Sequence, residues 1–334
     1  LFFPIVSILY FLLPHKFRWL LLLLASCYFY MAFIPIYILI LFFTIIVDYY
    51  AGILIENAEI KRKKTYLLLS VFVNIGTLMI FKYYNFFIDN INESFSLLNS
   101  SISLPVLSLI LPIGLSFHTF QALSYTIEVY RGNQKAERHF GIYALYVMFY
   151  PQLVAGPIER PQNILHQFHE KKYFSSEFLI SGLRLMLWGF FKKVVIADRL
   201  SVYVNGVFDN ADEYGSLNLI IAAVFFSIEI YCDFSGYSDI AIGSAKVMGF
   251  DLMTNFNRPY LSKNIKEFWS RWHISLSTWF RDYVYIPLGG NRGSKFMKYR
   301  NVFIVFVLSG FWHGANWTFI LWGFIHAILN MLYM

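Results

Sequence analysis

Long uncharged, apolar runs alternate along the chain with short polar or basic stretches. Residues 19–47, 65–81, 94–127 and 301–334 contain no Asp, Glu, Lys or Arg. Because a membrane-spanning helix needs about 20 mostly apolar residues, the pattern predicts an all-α, multi-pass membrane protein. Outer-membrane barrels are excluded, since their strands alternate apolar and polar positions. We predict spans near residues 2–13, 18–34, 36–55, 66–88, 105–127, 140–156, 177–206, 216–247, 300–312 and 316–334.

Two segments differ from plain spans. Residues 150–161 contain three prolines and an acidic–basic pair, Glu159 and Arg160, which predicts a re-entrant or interfacial segment covered by protein. Residues 264–283 place their aromatic side chains on one stripe at helical spacing, which predicts a continuous amphipathic helix in the membrane interface or along the bundle rim. His273 falls at the edge of that stripe, where we expect it to face a cavity.

Charge sets the expected orientation of the spans. The chain is 58% hydrophobic, only 14% charged, and carries a formal charge of +7. Its basic loops at 15–18, 61–64 and 131–138 alternate with loops that lack Lys and Arg. This alternation follows the positive-inside rule, so we place the basic loops in the cytoplasm and infer no nucleic-acid partner. One membrane domain covering 1–334 is expected, and both ends look cut, as in a fragment that lacks C-terminal helices.

Histidines in uncharged surroundings are the main candidates for chemistry. His313 lies in the uncharged run 301–334 beside Gly310 and Gly314, which would allow a ligand or backbone to approach closely. His273 lies 40 residues earlier in the sequence, also among tryptophans. The pair is equally consistent with a shared site and with structural hydrogen bonds. His118 and His326 are expected to be hydrogen-bonded core residues.

Other kinds of site have little support in the sequence. The two cysteines, Cys27 and Cys232, fit neither a disulfide framework nor a metal site, and we predict no bound metal or redox cofactor. Asp233 and Asp239 lie in an apolar run, where carboxylates are paired or functional; the sequence leaves both roles open.

Several motifs resemble the membrane-bound O-acyltransferase family, and most closely its bacterial alginate O-acetylase branch. They cover most of the chain in the family's order: residues 81–87 (FKYYNFF), 154–160 (VAGPIER), 233–239 (DFSGYSD), 258–260 (RPY), 267–279 (EFWSRWHISLSTW), 281–283 (RDY), 286–292 (IPLGGNR) and 311–317 (FWHGANW). The resemblance implies a ring of tilted helices around a central tunnel, with interfacial and re-entrant helices.

The resemblance also implies a reaction and the residues that take part in it. His313 occupies the position of the family's catalytic histidine, and His273 occupies a position that lines the same tunnel. The implied reaction is acyl transfer, most simply of acetyl, from a cytoplasmic thioester such as acetyl-CoA or an acyl carrier. We predict that His313 acts as general base and that substrate contacts come from five residues: Trp269, Arg281, Asp282, Trp312 and Asn316. Asn316, His273 and the Trp312 and Trp317 indoles are open candidates for stabilising the oxyanion.

The resemblance is less specific for the acceptor than for the family. The branch implies a multi-pass protein of a bacterial cytoplasmic membrane that modifies a polysaccharide or peptidoglycan, often through an extracytoplasmic acetyl-transferring or esterase-like partner. A related branch moves D-alanine from a carrier protein toward teichoic acid. A third interpretation, a transporter of lipid-linked sugars, is disfavoured because the sequence shows no paired repeats of broken helices.

Overall fold

Most of the apolar runs form helices in the computed structural model, which describes residues 1–100 and 102–334. Within those residues every regular element is helical and no strand forms, as the sequence predicts. The α-helices are α1 (Phe2–Leu12), α2 (His15–Met31), α3 (Ile38–Asn57), α4 (Ile60–Leu78), α5 (Tyr84–Leu97), α6 (Leu115–Arg131), α7 (Phe140–Met148), α8 (Pro161–His169), α9 (Ser176–Phe190), α10 (Asp198–Phe208), α11 (Ser216–Val247), α12 (Ile265–Arg271), α13 (Ile274–Phe280), α14 (Lys295–His313) and α15 (Trp317–Tyr333).

Three stretches of the described chain are long and apolar enough to cross a membrane: Pro35–Asn57, Ile60–Leu97 and Ser216–Val247. The second joins α4 to α5 through a π-helical turn, Met79–Tyr83, and the third coincides with the predicted span 216–247. The shorter helices α1 and α15 are also apolar. The chain is therefore an all-α membrane protein, and the tunnel implied by the family resemblance stays a prediction.

The predicted span 105–127 is wrong in its first half. Helix α6 begins only at Leu115, and residues 102–112 form no helix. Two prolines, Pro105 and Pro112, and the left-handed Gly114 (φ 73°) oppose a helix here. Side chains of α5 hold the extended backbone instead: Asn85 pairs with the N–H and carbonyl of Leu107 at 2.8 and 2.7 Å.

The predicted span 140–156 ends early, at the point where the sequence also predicts irregular structure. Helix α7 stops at Met148, three residues before Pro151. The chain then runs irregularly to α8, with Phe149, Ile158 and Glu159 at most 1% exposed. Protein covers this irregular segment, as backbone outside water requires.

The predicted continuous helix 264–283 is also wrong. Two short helices, α12 and α13, are separated at Trp272 and His273, and a π-helical turn, Arg281–Tyr285, follows α13. His273 adopts a left-handed conformation with φ 42°, which costs free energy for a residue with a Cβ. The predicted start is correct, since the Asn264 side chain caps α12 by accepting the Glu267 N–H at 2.8 Å.

Helices α9 and α11 form a close antiparallel pair, and two lysines at this contact are paired with carboxylates. A π-helical segment, Phe191–Ala197, joins α9 to α10 and carries two lysines. Lys192 pairs with Asp239 at 2.7 Å, and Lys193 pairs with Asp233 and Asp198. The carboxylates that the sequence left open are therefore paired.

Glycines allow the α9 and α11 backbones to touch. A Cβ at Gly189 would lie 2.7 Å from the carbonyl oxygen of Gly236, and one at Gly182 would lie 2.7 Å from that of Gly243. Both contacts are with rigid backbone, so a larger residue must push the helices apart.

We expect Gly189→Ala to lower the free energy of unfolding by about 1–3 kcal/mol, the usual cost of overpacking. The measurement is denaturant-induced unfolding in detergent. Gly206→Ala is the matched control: Gly206 lies in α10 and a Cβ there meets nothing within 4 Å, so higher helix propensity should leave stability equal or raised. Equal stability of the two variants would contradict the close contact.

Candidate active site

His313 is the last residue of α14, at the turn into α15. Small residues bring the two helices together: a Cβ at Gly310 would lie 2.3 Å from the Phe319 carbonyl oxygen, and one at Gly314 would lie 2.2 Å from the Phe319 ring. The predicted role of these glycines in close approach is confirmed. Asn316 caps α15, since its side-chain oxygen accepts the Thr318 N–H at 2.9 Å.

The π-helical turn of α4–α5 fixes the C-terminal end of α14. The Lys82 ammonium donates to the carbonyl oxygen of Trp312 and to the Ser116 hydroxyl, the latter at 3.2 Å. The Tyr83 hydroxyl donates to the Phe311 carbonyl at 3.0 Å. The last carbonyls of a helix lack intrahelical partners and attract cations, so these contacts stabilise the turn that carries His313.

His273 is positioned by Asn255, which lies before α12 in the chain. Asn255 replaces the helical hydrogen bonds lost at the break: its carbonyl accepts the Ile274 N–H at 2.8 Å, and its side-chain oxygen accepts the Ser275 N–H at 3.3 Å and hydroxyl at 2.9 Å. His273 Nδ1 lies 3.1 Å from the same oxygen. Both His273 and Asn255 are 1% exposed.

The Asn255 contacts determine the tautomer of His273. A backbone N–H can only donate, so the Asn255 atom that faces Ser275 is the oxygen, and its amide nitrogen donates to Ser238 Oγ at 3.0 Å. His273 Nδ1 must then be the protonated nitrogen. In a neutral ring Nε2 carries the lone pair, and this atom is buried with no partner among the described residues.

Both histidines line one cavity of about 330 Å³. The Trp312 ring packs between them, with its centroid 6.3 Å from that of His273 and 5.0 Å from that of His313. The cavity extends toward the start of α14 and the end of α15, where Asn291 and Tyr333 line it. Two cations, Lys266 and Arg281, belong to its lining, which includes no Asp or Glu.

A second cavity, of about 560 Å³, lies on the other side of His313. It extends toward the start of α15, where Thr318 and Trp322 line it. Trp269, Trp272 and His313 line both cavities. We call them the first cavity, which contains His273, and the second cavity, which does not.

The other predicted site residues divide into two groups. Trp269 and Arg281 line the first cavity. Trp312 belongs to neither cavity lining, although its indole nitrogen, like that of Trp269, is buried without a partner in the part of the chain that the structure describes. Asp282 faces elsewhere: it pairs with Arg281 at 2.8 Å and Arg160 at 3.5 Å and lines a separate polar cavity.

Asn316 and Trp317 are engaged in structural contacts. Asn316 caps α15 as described, and the Trp317 indole donates to Asn90 at 2.8 Å. The structure brings neither into either cavity lining.

Sequence reasoning missed Asn255, noted Lys82 only as a polar group within a span that would suit a transport path, and assigned His326 to the core. Asn255 offers no local signal, whereas Lys82 is a lone cation in an apolar span, which is a recognised sign of function. His326 lines the second cavity, and its Nδ1 is buried with no hydrogen-bond partner in residues 1–100 and 102–334; the expected core hydrogen bond is absent there. In the same ranges, no group of three or more His, Cys, Asp or Glu side chains could hold a metal ion.

We expect Lys82→Met to loosen the end of α14, because the Trp312 carbonyl loses a charged donor. The free energy of unfolding should fall by about 1.5–3 kcal/mol, the range for a hydrogen bond to a charged group. Hydrogen–deuterium exchange should rise in peptides that cover residues 308–316. Lys64→Met is the control, since Lys64 is exposed near the start of α4, which already begins at Ile60, so the predicted basic loop 61–64 is helical. Equal exchange in both variants would show that Lys82 does not hold this turn.

Comparison with known proteins identifies one family model that matches this chain and several proteins similar to it in sequence. Residues 138–333 match the model of the membrane-bound O-acyltransferase family. The chain is 41% identical to a probable alginate O-acetylase of Pseudomonas aeruginosa, over 98% of this chain and 63% of that protein. It is 38% identical to a peptidoglycan O-acetyltransferase of Helicobacter pylori, over 92% of this chain and 62% of that protein.

A relative with lower identity is named for the transfer of D-alanyl rather than acetyl. The teichoic acid D-alanyltransferase of Bacillus subtilis is 31% identical over 69% of this chain and 60% of its own length. The chain thus spans somewhat less than two thirds of the length of these relatives.

Proposed function

Because the chain belongs to the membrane-bound O-acyltransferase family, we propose that it transfers an acyl group from a thioester to a hydroxyl. We propose acetyl as the acyl group, a bacterial cytoplasmic membrane as the location, and a cell-envelope polysaccharide or a partner protein as the acceptor. The single observation that carries the proposal is the first cavity, where His313 and His273 converge.

His313 is the proposed general base. A sugar or serine hydroxyl is a poor nucleophile until a base within hydrogen-bond reach removes its proton. An unprotonated ring nitrogen of His313 accepts this proton as the hydroxyl oxygen attacks the thioester carbonyl carbon. The tetrahedral intermediate then expels the thiolate, which takes the proton from the imidazolium, so the products are an ester and a free thiol.

The negative oxygen of the intermediate needs donors. Trp269 lines both cavities and its indole N–H is unpaired within the described chain, which favours it over Trp317 and Asn316; the Trp312 indole N–H is also unpaired, but Trp312 lines neither cavity. Neutral His273 offers a lone pair at Nε2, because Nδ1 carries its proton. His273 therefore accepts a hydrogen bond from a bound ligand, for example from an amide N–H of a pantetheine-type donor.

Charge supports entry of the thioester through the first cavity. Acetyl-CoA and acyl carriers bear phosphate, and Lys266 and Arg281 line this cavity. Arg281 is paired with Asp282 at 2.8 Å, so Lys266 is the lining cation without an ion pair among the described residues. The second cavity, with no Lys, Arg, Asp or Glu in its lining, suits the uncharged hydroxyl-bearing part of an acceptor. Both routes would meet at His313, which lines both cavities.

Acetyl transfer is favoured over D-alanyl transfer by similarity. The O-acetylating relatives are 38–41% identical over at least 92% of the chain, whereas the D-alanyltransferase is 31% identical over 69%. An extracytoplasmic partner that completes the transfer remains part of the proposal.

His313→Ala should reduce transfer by about 10²–10⁴-fold, the usual contribution of a general base. The measurement is release of free CoA from labelled acetyl-CoA, with the label followed into the acceptor. His166→Ala is the control, since His166 lies exposed on α8. Full activity of the His313 variant would reject this residue as the base, and absence of CoA release by the wild type would favour a transporter.

Arg281→Gln should raise the KM for acetyl-CoA several-fold and weaken its dependence on salt, because one cation is removed from the donor cavity. The measurement is initial rate against acetyl-CoA concentration at two ionic strengths. Lys295→Gln, an exposed position outside both cavity linings, should leave KM unchanged. A KM that does not move in the Arg281 variant would exclude this cation from donor binding.

A further inference from the structure

The irregular segment 251–257, which we call the bridging segment, joins two distant parts of the fold. It follows α11 and precedes α12 in the chain. On one side, its Asn255 contacts His273 at the break between α12 and α13. On the other side, its backbone meets the region around α8, and no step of the proposed reaction uses those contacts.

Two side chains of the α8 region hold the backbone of the bridging segment. Glu159, just before α8, accepts the Met253 N–H through its side-chain oxygen. Gln167, on α8, pairs with both backbone groups of Asp251: its amide nitrogen donates to the carbonyl at 2.9 Å, and its side-chain oxygen accepts the N–H at 2.9 Å. Glu159 and Gln167 are 0% and 6% exposed, so these contacts are shielded from water.

The Glu159 carboxyl group is buried without an ion pair in the part of the chain that the structure describes. Its second oxygen accepts the Asn163 amide at 3.3 Å. The guanidinium of the next residue, Arg160, lies 3.5 Å from Asp282 instead. A buried polar group is costly unless hydrogen bonds compensate for the lost water. The carboxyl group and the Met253 N–H thus depend on each other, since each is the buried partner of the other.

A shift of the bridging segment would reach His273 directly. Met253 lies two residues before Asn255. The Asn255 carbonyl accepts the Ile274 N–H at 2.8 Å, and its side-chain oxygen lies 3.1 Å from His273 Nδ1. His273 also has a left-handed backbone, with φ 42°, and such a conformation persists only where the surrounding structure imposes it. Release of Met253 would therefore weaken the contact that keeps the His273 proton on Nδ1.

We propose that Glu159 and Gln167 are positioning residues for His273. They belong to neither cavity lining and act through the bridging segment, whose Asn255 holds the His273 ring in one tautomer at the first cavity. The consequence for donor binding rests on the acyl transfer proposed above, whereas the effect on the tautomer does not.

Two variants that keep side-chain volume and remove the hydrogen-bonding groups test this role: Glu159→Met and Gln167→Met. Solid-state NMR of the protein in lipid, with isotope-labelled histidine, shows which ring nitrogen carries the proton. The signals of His273 are those that disappear in His273→Asn. We expect one Nδ1-protonated form in wild-type protein and an additional Nε2-protonated form in both Met variants.

Glu159→Gln should restore the single Nδ1-protonated form, because its amide oxygen still accepts the Met253 N–H. Glu170→Met is the control: Glu170 is exposed at the end of α8 and contacts Lys172 rather than the bridging segment, so the wild-type spectrum is expected. Thermal unfolding identifies any variant that fails to fold, and Gln167→Met carries the test if Glu159→Met does so.

In the CoA-release assay, both Met variants should raise the KM for acetyl-CoA several-fold, because His273 lines the proposed donor cavity. A single Nδ1-protonated form in whichever of the two variants fold would overturn the positioning role, as would an Nε2-protonated wild type. Absence of CoA release by wild-type protein would instead refute the proposed acyl transfer, and the NMR spectra would still decide the positioning role.

Discussion

The structure depends on the rule that polar groups shielded from water must find partners. Lys82 lies in an apolar span because its ammonium donates to the Trp312 carbonyl near the end of α14. Lys192 and Lys193 enter the α9–α11 pair because carboxylates neutralise them. Against this background, the unpaired nitrogens of Trp269, His273 and His326 are informative, since these three side chains line the two cavities. Trp312 and His118 also have unpaired ring nitrogens among the described residues, and they line neither cavity.

The sequence predicts those parts of the fold that depend on local pattern. Apolar runs locate the helices, and the predicted span 216–247 coincides with α11 because no proline or left-handed residue interrupts it. It also singles out His273 and His313, because titratable groups among tryptophans are rare. The periodicity of residues 264–283, however, hides the break at His273. That break depends on Asn255, 18 residues earlier, whose hydrogen bonds no local pattern reveals.

Long-range partners explain the other misses as well. His326 resembles a core residue in sequence, and only the packing of α12 against α15 places Trp269 and a cavity beside it. Asp282 and Asn316 are plausible substrate contacts from sequence because both lie within the family motifs. Asp282 instead pairs with Arg160 and Arg281, and Asn316 caps α15, so the folded chain already provides them with partners.

The two histidines differ chemically although both line the first cavity. The Ser275 backbone N–H can only donate, so the Asn255 side-chain atom that faces it is the oxygen. This oxygen can only accept, which places the proton of His273 on Nδ1. In neutral His273, Nε2 is therefore a hydrogen-bond acceptor, and the Asn255 contact holds the ring in this tautomer. His313 has no comparable side-chain partner among the described residues and is held instead by its backbone, through the Lys82 contact with Trp312 and the glycines of α14. A base must gain and lose a proton within one turnover, so a ring whose nitrogens are free of fixed partners suits that role better than one whose tautomer is locked.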